Sequence, residues 1–231
     1  MAPDRRPPST WTGERILLPL LSLVAGMVDV TGFLTLGHVF TAHITGNLAL
    51  LAASVVEGAA LPTGQLLSIP AFAGGLAIAY LLVRGVDAAH GGSRLLEGQA
   101  LLLFGALGLM LSSQGTAQRA LLPATILTVA AMALQNVFVR VSLRASLSTS
   151  VMTTNIVVSV IALVALLCTG PWSREEARQR LKPTLPVVGG FLSGCLLGGV
   201  GVSRFGPGAW AVPALLSLVT VFVGRRAPPS V

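Results

Sequence analysis

The sequence predicts an all-α integral membrane protein of about six transmembrane helices plus two re-entrant or broken segments, arranged as two inverted-topology repeats. The competing arrangement is eight spans in two parallel four-helix repeats. Three observations lead there. First, of 231 residues 53% are hydrophobic and only 10% charged, with a mean hydropathy of +0.82, whereas a soluble domain carries roughly 25% charged residues. The apolar runs are long and unalternating, which is a helix pattern and not that of a β-barrel. Second, a polar motif in the first half recurs, weakened, in the second. Third, the basic residues sort to one side of the membrane only under one reading of the spans.

The elements follow in order. Residues 1–13 are Pro-rich and polar, a solvated tail, and the basic start followed by apolar sequence resembles a signal peptide. No convincing small-x-small cleavage site follows, so the segment reads as a retained first helix. Apolar segments lie at about 16–36, 39–56, 66–83, 97–113, 120–139, 150–168, 184–203 and 207–224. The connector 171–183 (PWSREEARQRLKP) is strongly charged and predicts a short amphipathic surface helix bounded by Pro171 and Pro183. The whole is one membrane domain, with repeat one over 14–116 and repeat two over 117–226. Gly190, Gly194 and Gly198 form a small-residue face for close helix packing. Trp11, Trp172 and Trp210 fall near segment ends, as interfacial aromatics do.

The duplication rests on three matches in the same order. Asp29 aligns with Asn136, 107 residues later; Thr45-Gly46-Asn47 aligns with Thr153-Thr154-Asn155, 108 later. Ile69-Pro70 and Gly74-Gly75 align with Leu185-Pro186 and Gly189-Gly190, 115 to 116 later. If all eight segments span with the N-terminus inside, ten of the 15 Lys and Arg fall inside and five outside. If the second and sixth segments enter and leave by one face, 13 fall inside, with only Arg119 and Arg204 outside. The positive-inside rule favours the second arrangement. It gives three spans per half, an odd number, so the halves are inverted and both termini are cytoplasmic. Against it, segments of about 18 residues at ~1.5 Å each are nearly long enough to cross.

The candidate site lies between Ala25 and Asn47 (AGMVDVTGFLTLGHVFTAHITGN), where an apolar segment acquires a carboxylate and then a polar string. Polar groups at membrane depth are costly and by default face a bundle interior or a cavity. Broken helix ends with unpaired backbone groups, meeting at a repeat interface, are how many secondary transporters bind their substrates. The expected substrate-binding residues are therefore Asp29, Thr45, Gly46, Asn47, Gln135, Asn136, Thr153, Thr154 and Asn155. Gly46 is expected to supply unusual backbone angles at a break. Asp29 and His43 form an expected proton relay, since an ionisable side chain inside an apolar segment is by default a functional-site candidate; His38 is placed at the interface. The bland readings are helix-bridging by the Asn residues and, for Asp29, either capping of backbone N–H groups or exposure to a water-filled vestibule.

The pattern Ala25, Gly26, Asp29, Gly32, Phe33, then Thr45, Gly46, Asn47, with Gln135-Asn136 and Arg140, resembles the YoaK-like bacterial membrane proteins (domain of unknown function 1275). The resemblance covers nearly the whole chain. It departs in the second half, where such proteins tend to show a second Thr-Gly step and this chain has Thr153-Thr154. The resemblance implies a bacterial inner-membrane protein of about six spans and implies no substrate.

Composition excludes several function classes. The net charge of +7 sits in short connectors, which sets orientation and does not indicate nucleic acid. Cys168 and Cys195 lie in apolar runs without metal-ligand spacing and read as inert thiols. No phosphate loop, GxSxG or HExxH is present. The reading is a non-enzymatic small-solute transporter or permease without cofactor or metal, whose partners are the lipid bilayer and an unknown small solute. A non-transporting membrane partner or regulator, and an intramembrane enzyme using His38 or His43 with Asp29, are the alternatives. Homo-oligomerisation is compatible with the sequence and is not decided by it.

Overall fold

The computed structural model describes residues 12–86, 88–112, 117–143, 152–168 and 172–226. The described residues form eight α-helices: α1 (Thr12–Thr35), α2 (Ile44–Val56), α3 (Thr63–Val83), α4 (Ala88–Ser112), α5 (Ala117–Val137), α6 (Met152–Leu167), α7 (Arg174–Phe205) and α8 (Ala211–Arg225). A π-type turn, Phe138–Ser142, extends α5, and a 3-10 turn, Gly206–Trp210, joins α7 to α8. Helices suit this composition because each satisfies its own backbone without water.

Among the described residues, five stretches are long and apolar enough to cross a bilayer: Arg15–Thr35, Thr63–Val83, Gly91–Ser112, Arg119–Val141 and the continuous Arg174–Arg225. The helices α2 and α6, of 13 and 16 residues, reach only about 20 and 24 Å at ~1.5 Å per residue, short of a hydrocarbon core of about 30 Å. The apolar stretches of α1 and α5 are the most enclosed, 67% and 61% buried, against 17% for that of α3; α1 and α5 therefore form the centre.

Packing partners are preserved when the two halves are exchanged. Helix α1 packs on α7 as α5 packs on α3; α2 leans on α3 as α6 leans on α7; α4 packs on α5 as α8 packs on α1. The α1–α7 seam is a backbone contact. A Cβ at Gly190 would overlap the Pro19 carbonyl, one at Gly194 the Leu23 carbonyl, and one at Gly26 the Phe191 carbonyl. The small-residue face expected from sequence thus sits against α1. Side chains of Val24, Val28, Leu103, Met132 and Ala214 fill one core, and Leu17, Leu21, Leu95, Leu96 and Phe138 a second.

Four sequence expectations are corrected. The charged stretch after Pro171 is not a separate surface helix ending at Pro183. It is the first part of α7, started by a capping box in which Ser173 and Glu176 satisfy each other's backbone, and α7 runs on through Pro183 and Pro186. A proline removes one hydrogen bond and bends a helix without necessarily ending it. Helix α4 begins at Ala88, well before the expected 97. The second segment is helical only from Ile44; residues 36–43 are irregular. Trp210 is not interfacial: it is fully buried, with its indole N–H donating to Thr35 Oγ1 at 3.0 Å. Of the other two tryptophans, Trp172 is half-buried under the Arg180 guanidinium, and Trp11 lies outside the described residues.

Candidate functional site

The site is built around the irregular stretch 36–43. Asp29 stands on α1 six residues before its end, which is about 9 Å along the axis. Its carboxylate accepts from the backbone N–H of Thr41 (2.8 Å) and Ala42 (2.6 Å), from the Thr41 hydroxyl (3.3 Å), and pairs with His43 Nδ1. The chain leaving α1 therefore turns and descends again beside it to the level of Asp29. Asp29 is 3% exposed, while the His43 side chain keeps 25% of its surface open, so the imidazole lies between the carboxylate and the outside. The His43 ring leans on Phe191 of α7, with centroids 5.0 Å apart.

The remaining loop groups are met from α2 and α3. Asn47 accepts from the Phe40 N–H (2.8 Å) and donates to the Phe40 carbonyl (2.6 Å) and to Ser68 Oγ (2.8 Å). Gln65 of α3 donates to the carbonyls of His38 (3.0 Å) and Gly37 (3.3 Å). The entry to α3 thus lies beside the exit from α1. Gly37 and His38 adopt left-handed backbone, φ 73° and 62°, which makes the sharp turn. The physical logic is uniform: a broken stretch among apolar helices leaves backbone groups unpaired, and buried Asp, Asn and Gln side chains meet them.

A second polar group joins α1, α4 and α5. Gln99 Nε2 donates to Gln135 Oε1 (2.8 Å), and Gln135 Nε2 donates to the Leu21 carbonyl (3.1 Å). Both glutamines are at most 1% exposed. Asn136 is half-buried and donates to the Met132 carbonyl of its own helix at 2.8 Å.

Residues 17–223 match the family described as "Protein of unknown function (DUF1275)". That match covers most of the chain. The chain belongs to this family. A stretch of 68 residues, 29% of this chain, is 46% identical to the UPF0700 transmembrane protein YoaK of Bacillus subtilis (strain 168). The matched stretch spans 30% of that relative's length. No solved structure matches. The family is thus a multi-helix membrane family whose description carries no activity, and the chemistry has to come from the site.

Of the residues expected at the site, the structure brings Asp29, His43 and Asn47 together around one loop. Thr45 is exposed on the first turn of α2. Gly46 is not the break: it is helical, and its lack of a side chain makes room for the Phe40 ring, whose Cδ2 would lie 2.7 Å from a Cβ there. Thr153 and Thr154 are exposed on the first turn of α6 while Asn155 is buried. In both triplets the asparagine alone is buried. Gln135 belongs to the second group, with Asn136 beside it on α5. His38 is exposed, with its imidazole edge against Phe33 at 5.0 Å. Residues missed from sequence are Thr41, Gln65 and Ser68 at the loop and Gln99 at the second group.

Proposed function

We propose that the chain is a small-solute membrane transporter, proton-coupled through Asp29 and His43. In this reading it has six spans and two re-entrant segments in two inverted-topology repeats. It lies in a bacterial inner membrane with both termini cytoplasmic. The observation that carries the reading is the excursion 36–62. It departs where α1 ends and returns where α3 begins, since Gln65 contacts Gly37 and His38. Further along α3, Ser68 meets Asn47, whose partner loop descends to Asp29, so α3 runs back alongside the direction of α1. A helix of 13 residues cannot add a crossing within that excursion. Three crossings per half is an odd number, which inverts the second half, and the exchange-invariant packing of the helices supports a duplicated unit.

At the loop, a buried carboxylate is paired with a partly open imidazole, the arrangement that lets a proton reach an enclosed acid. Protonating Asp29 weakens its hold on the Thr41 and Ala42 N–H groups, which couples charge to the shape of the re-entrant loop. The test is flux. Proteoliposomes loaded with a pH-sensitive dye are exposed to a panel of uncharged and charged solutes, and solute entry with coupled acidification is read. Asp29→Asn is expected to abolish the acidification while leaving the protein folded. Unchanged coupled flux in both Asp29→Asn and Asn47→Ala overturns the site.

A further inference from the structure

Helix α7 is longer than a bilayer requires, and its surplus is charged. Its 32 residues span about 48 Å at ~1.5 Å each, against about 30 Å of hydrocarbon. No charged residue lies between Lys182 and Arg204, so the apolar part fills the hydrocarbon and residues 174–182 stand in the headgroup layer and beyond it. Helix α3, which holds the matching place in the first half, has no such surplus. It starts seven residues before its Pro70, whereas α7 starts twelve before the aligned Pro186. Residues 63–69 carry no charge.

The cations of this surplus differ in what they meet. Arg180 lies over the Trp172 ring, 4.4 Å from its centroid. Arg174, Arg178 and Lys182 are exposed and pair with no acidic side chain among the described residues. The two acids beside them are engaged otherwise: Glu176 accepts from the Ser173 N–H at 2.7 Å, and Glu175 from the Gln179 amide at 3.2 Å. At four-residue steps the three cations share one side of the helix, drifting about 40° per step. At the same pitch that side runs on into Leu185, Gly189, Leu192 and Leu196, all exposed. The buried face, with Ala177, Val187 and Gly194, is turned away from it. Nothing lies within 4 Å of a Cβ placed on Gly189, which leaves a notch between Leu185 and Leu192.

We infer that this stripe of α7 seats an anionic phospholipid, with its phosphate on Arg178 and Lys182 and an acyl chain along Leu185, Gly189, Leu192 and Leu196. Arg174, one turn further out, adds to the field. Charge complementarity selects the occupant. An anionic headgroup brings an uncompensated phosphate to unpaired cations, whereas a zwitterionic one brings an ammonium with it. A free phosphate would leave the apolar stripe beneath it unused. The start of α7 is already capped by Ser173 and Glu176, so side chains and not the helix end hold the anion. This surface is separate from the Asp29 loop and independent of the transporter reading.

The experiment titrates the full-length protein, in an uncharged detergent, with phosphatidylglycerol, phosphatidylcholine and glycerol phosphate while its unfolding temperature is followed. A ligand that binds only the folded state raises it in a saturable way. Each cation beside an anionic lipid is worth about fivefold in affinity, so phosphatidylglycerol is expected to half-saturate about tenfold or more below phosphatidylcholine. Glycerol phosphate, a headgroup without chains, is expected to do nothing in that range. In Arg174→Gln/Arg178→Gln/Lys182→Gln the preference between the lipids is expected to vanish. Arg15→Gln/Arg84→Gln/Arg204→Gln removes the same charge from exposed positions elsewhere and is expected to keep it. Equal half-saturation by the two lipids in the parent overturns the inference, as does no saturable response. A preference that both triple variants lose alike is bulk charge, and one that both keep lies elsewhere; either overturns it. A shift by glycerol phosphate at the same concentrations marks a free-anion site and overturns it too. Should the stripe variant fail to fold, Lys182→Gln alone decides: phosphatidylglycerol half-saturation is expected to rise about fivefold, and no change overturns the site.

Discussion

Asp29 does two things that substitution can separate. As an oxygen acceptor it holds the N–H groups of Thr41 and Ala42; as an anion it pairs with His43. Asp29→Asn keeps an oxygen for the backbone, and its amide can donate to a neutral His43 Nδ1. Stability is therefore expected to change little, while proton coupling is lost. Asp29→Leu keeps neither and strands two buried N–H groups at about 1–3 kcal/mol each, so its unfolding temperature is expected to fall well below that of Asp29→Asn. Equal unfolding temperatures for the two variants would show that the carboxylate does not hold the loop. Asn47→Ala strips both the N–H and the carbonyl of Phe40 of their partner and is expected to destabilise by a similar amount per group. Asp29 and Asn47 were legible in the sequence because a carboxylate and an amide among apolar residues are costly unless used. Gln99 was not. It sits next to Glu97 at what reads as the ragged start of an apolar segment, and only a helix that begins at Ala88 puts it three turns deep. Gly46 was legible as important for the wrong reason, since space for a ring and freedom of backbone look identical in a sequence.

Helix pairs divide into seams that need glycine and faces that do not. Gly194 of α7 lies against the Leu23 carbonyl of α1, whereas nothing lies within 4 Å of a Cβ placed on Gly189. Gly194→Ala must push backbone from backbone, and overpacking of that kind costs about 1–3 kcal/mol. Gly189→Ala meets open space and removes a helix-weakening residue, worth up to about 1 kcal/mol the other way. Thermal unfolding of the two purified variants is expected to move in opposite directions. A Gly194→Ala protein as stable as the parent would mean the α1–α7 seam is not closely packed. The element boundaries were the weaker part of the sequence reading, and the reason is local. The α7 start is set by a Ser173–Glu176 capping box that competes with the two prolines downstream, and the helix prevails. The α2 start is set by side chains 15 and 21 residues away from Ile44, Asp29 and Gln65, whose contacts no local pattern announces.

For the whole molecule, the number of crossings follows from whether the excursion 36–62 returns to the face it left. The basic-residue distribution already favours return, and the meeting of Gln65 with Gly37 and His38 gives that preference a contact. Geometry adds a bound. The link 57–62 has six residues and reaches at most about 20 Å. If α2 pointed inward from the level of Asn47, its far end would lie most of its ~20 Å length deeper, and the link would also have to climb back past that level to Thr63. An outward or tilted α2 needs no such reach. Single cysteines at Glu57 and Arg84, in a background with Cys168 and Cys195 replaced by Ala, turn this into a measurement in intact cells with a membrane-impermeant thiol reagent. Both parent residues are exposed. With six crossings and a cytoplasmic N-terminus, position 57 labels from outside and position 84 only after the membrane is opened. With eight crossings the two positions exchange behaviour, the halves become parallel, and the re-entrant loop on which proton coupling was built becomes an ordinary turn between spanning helices.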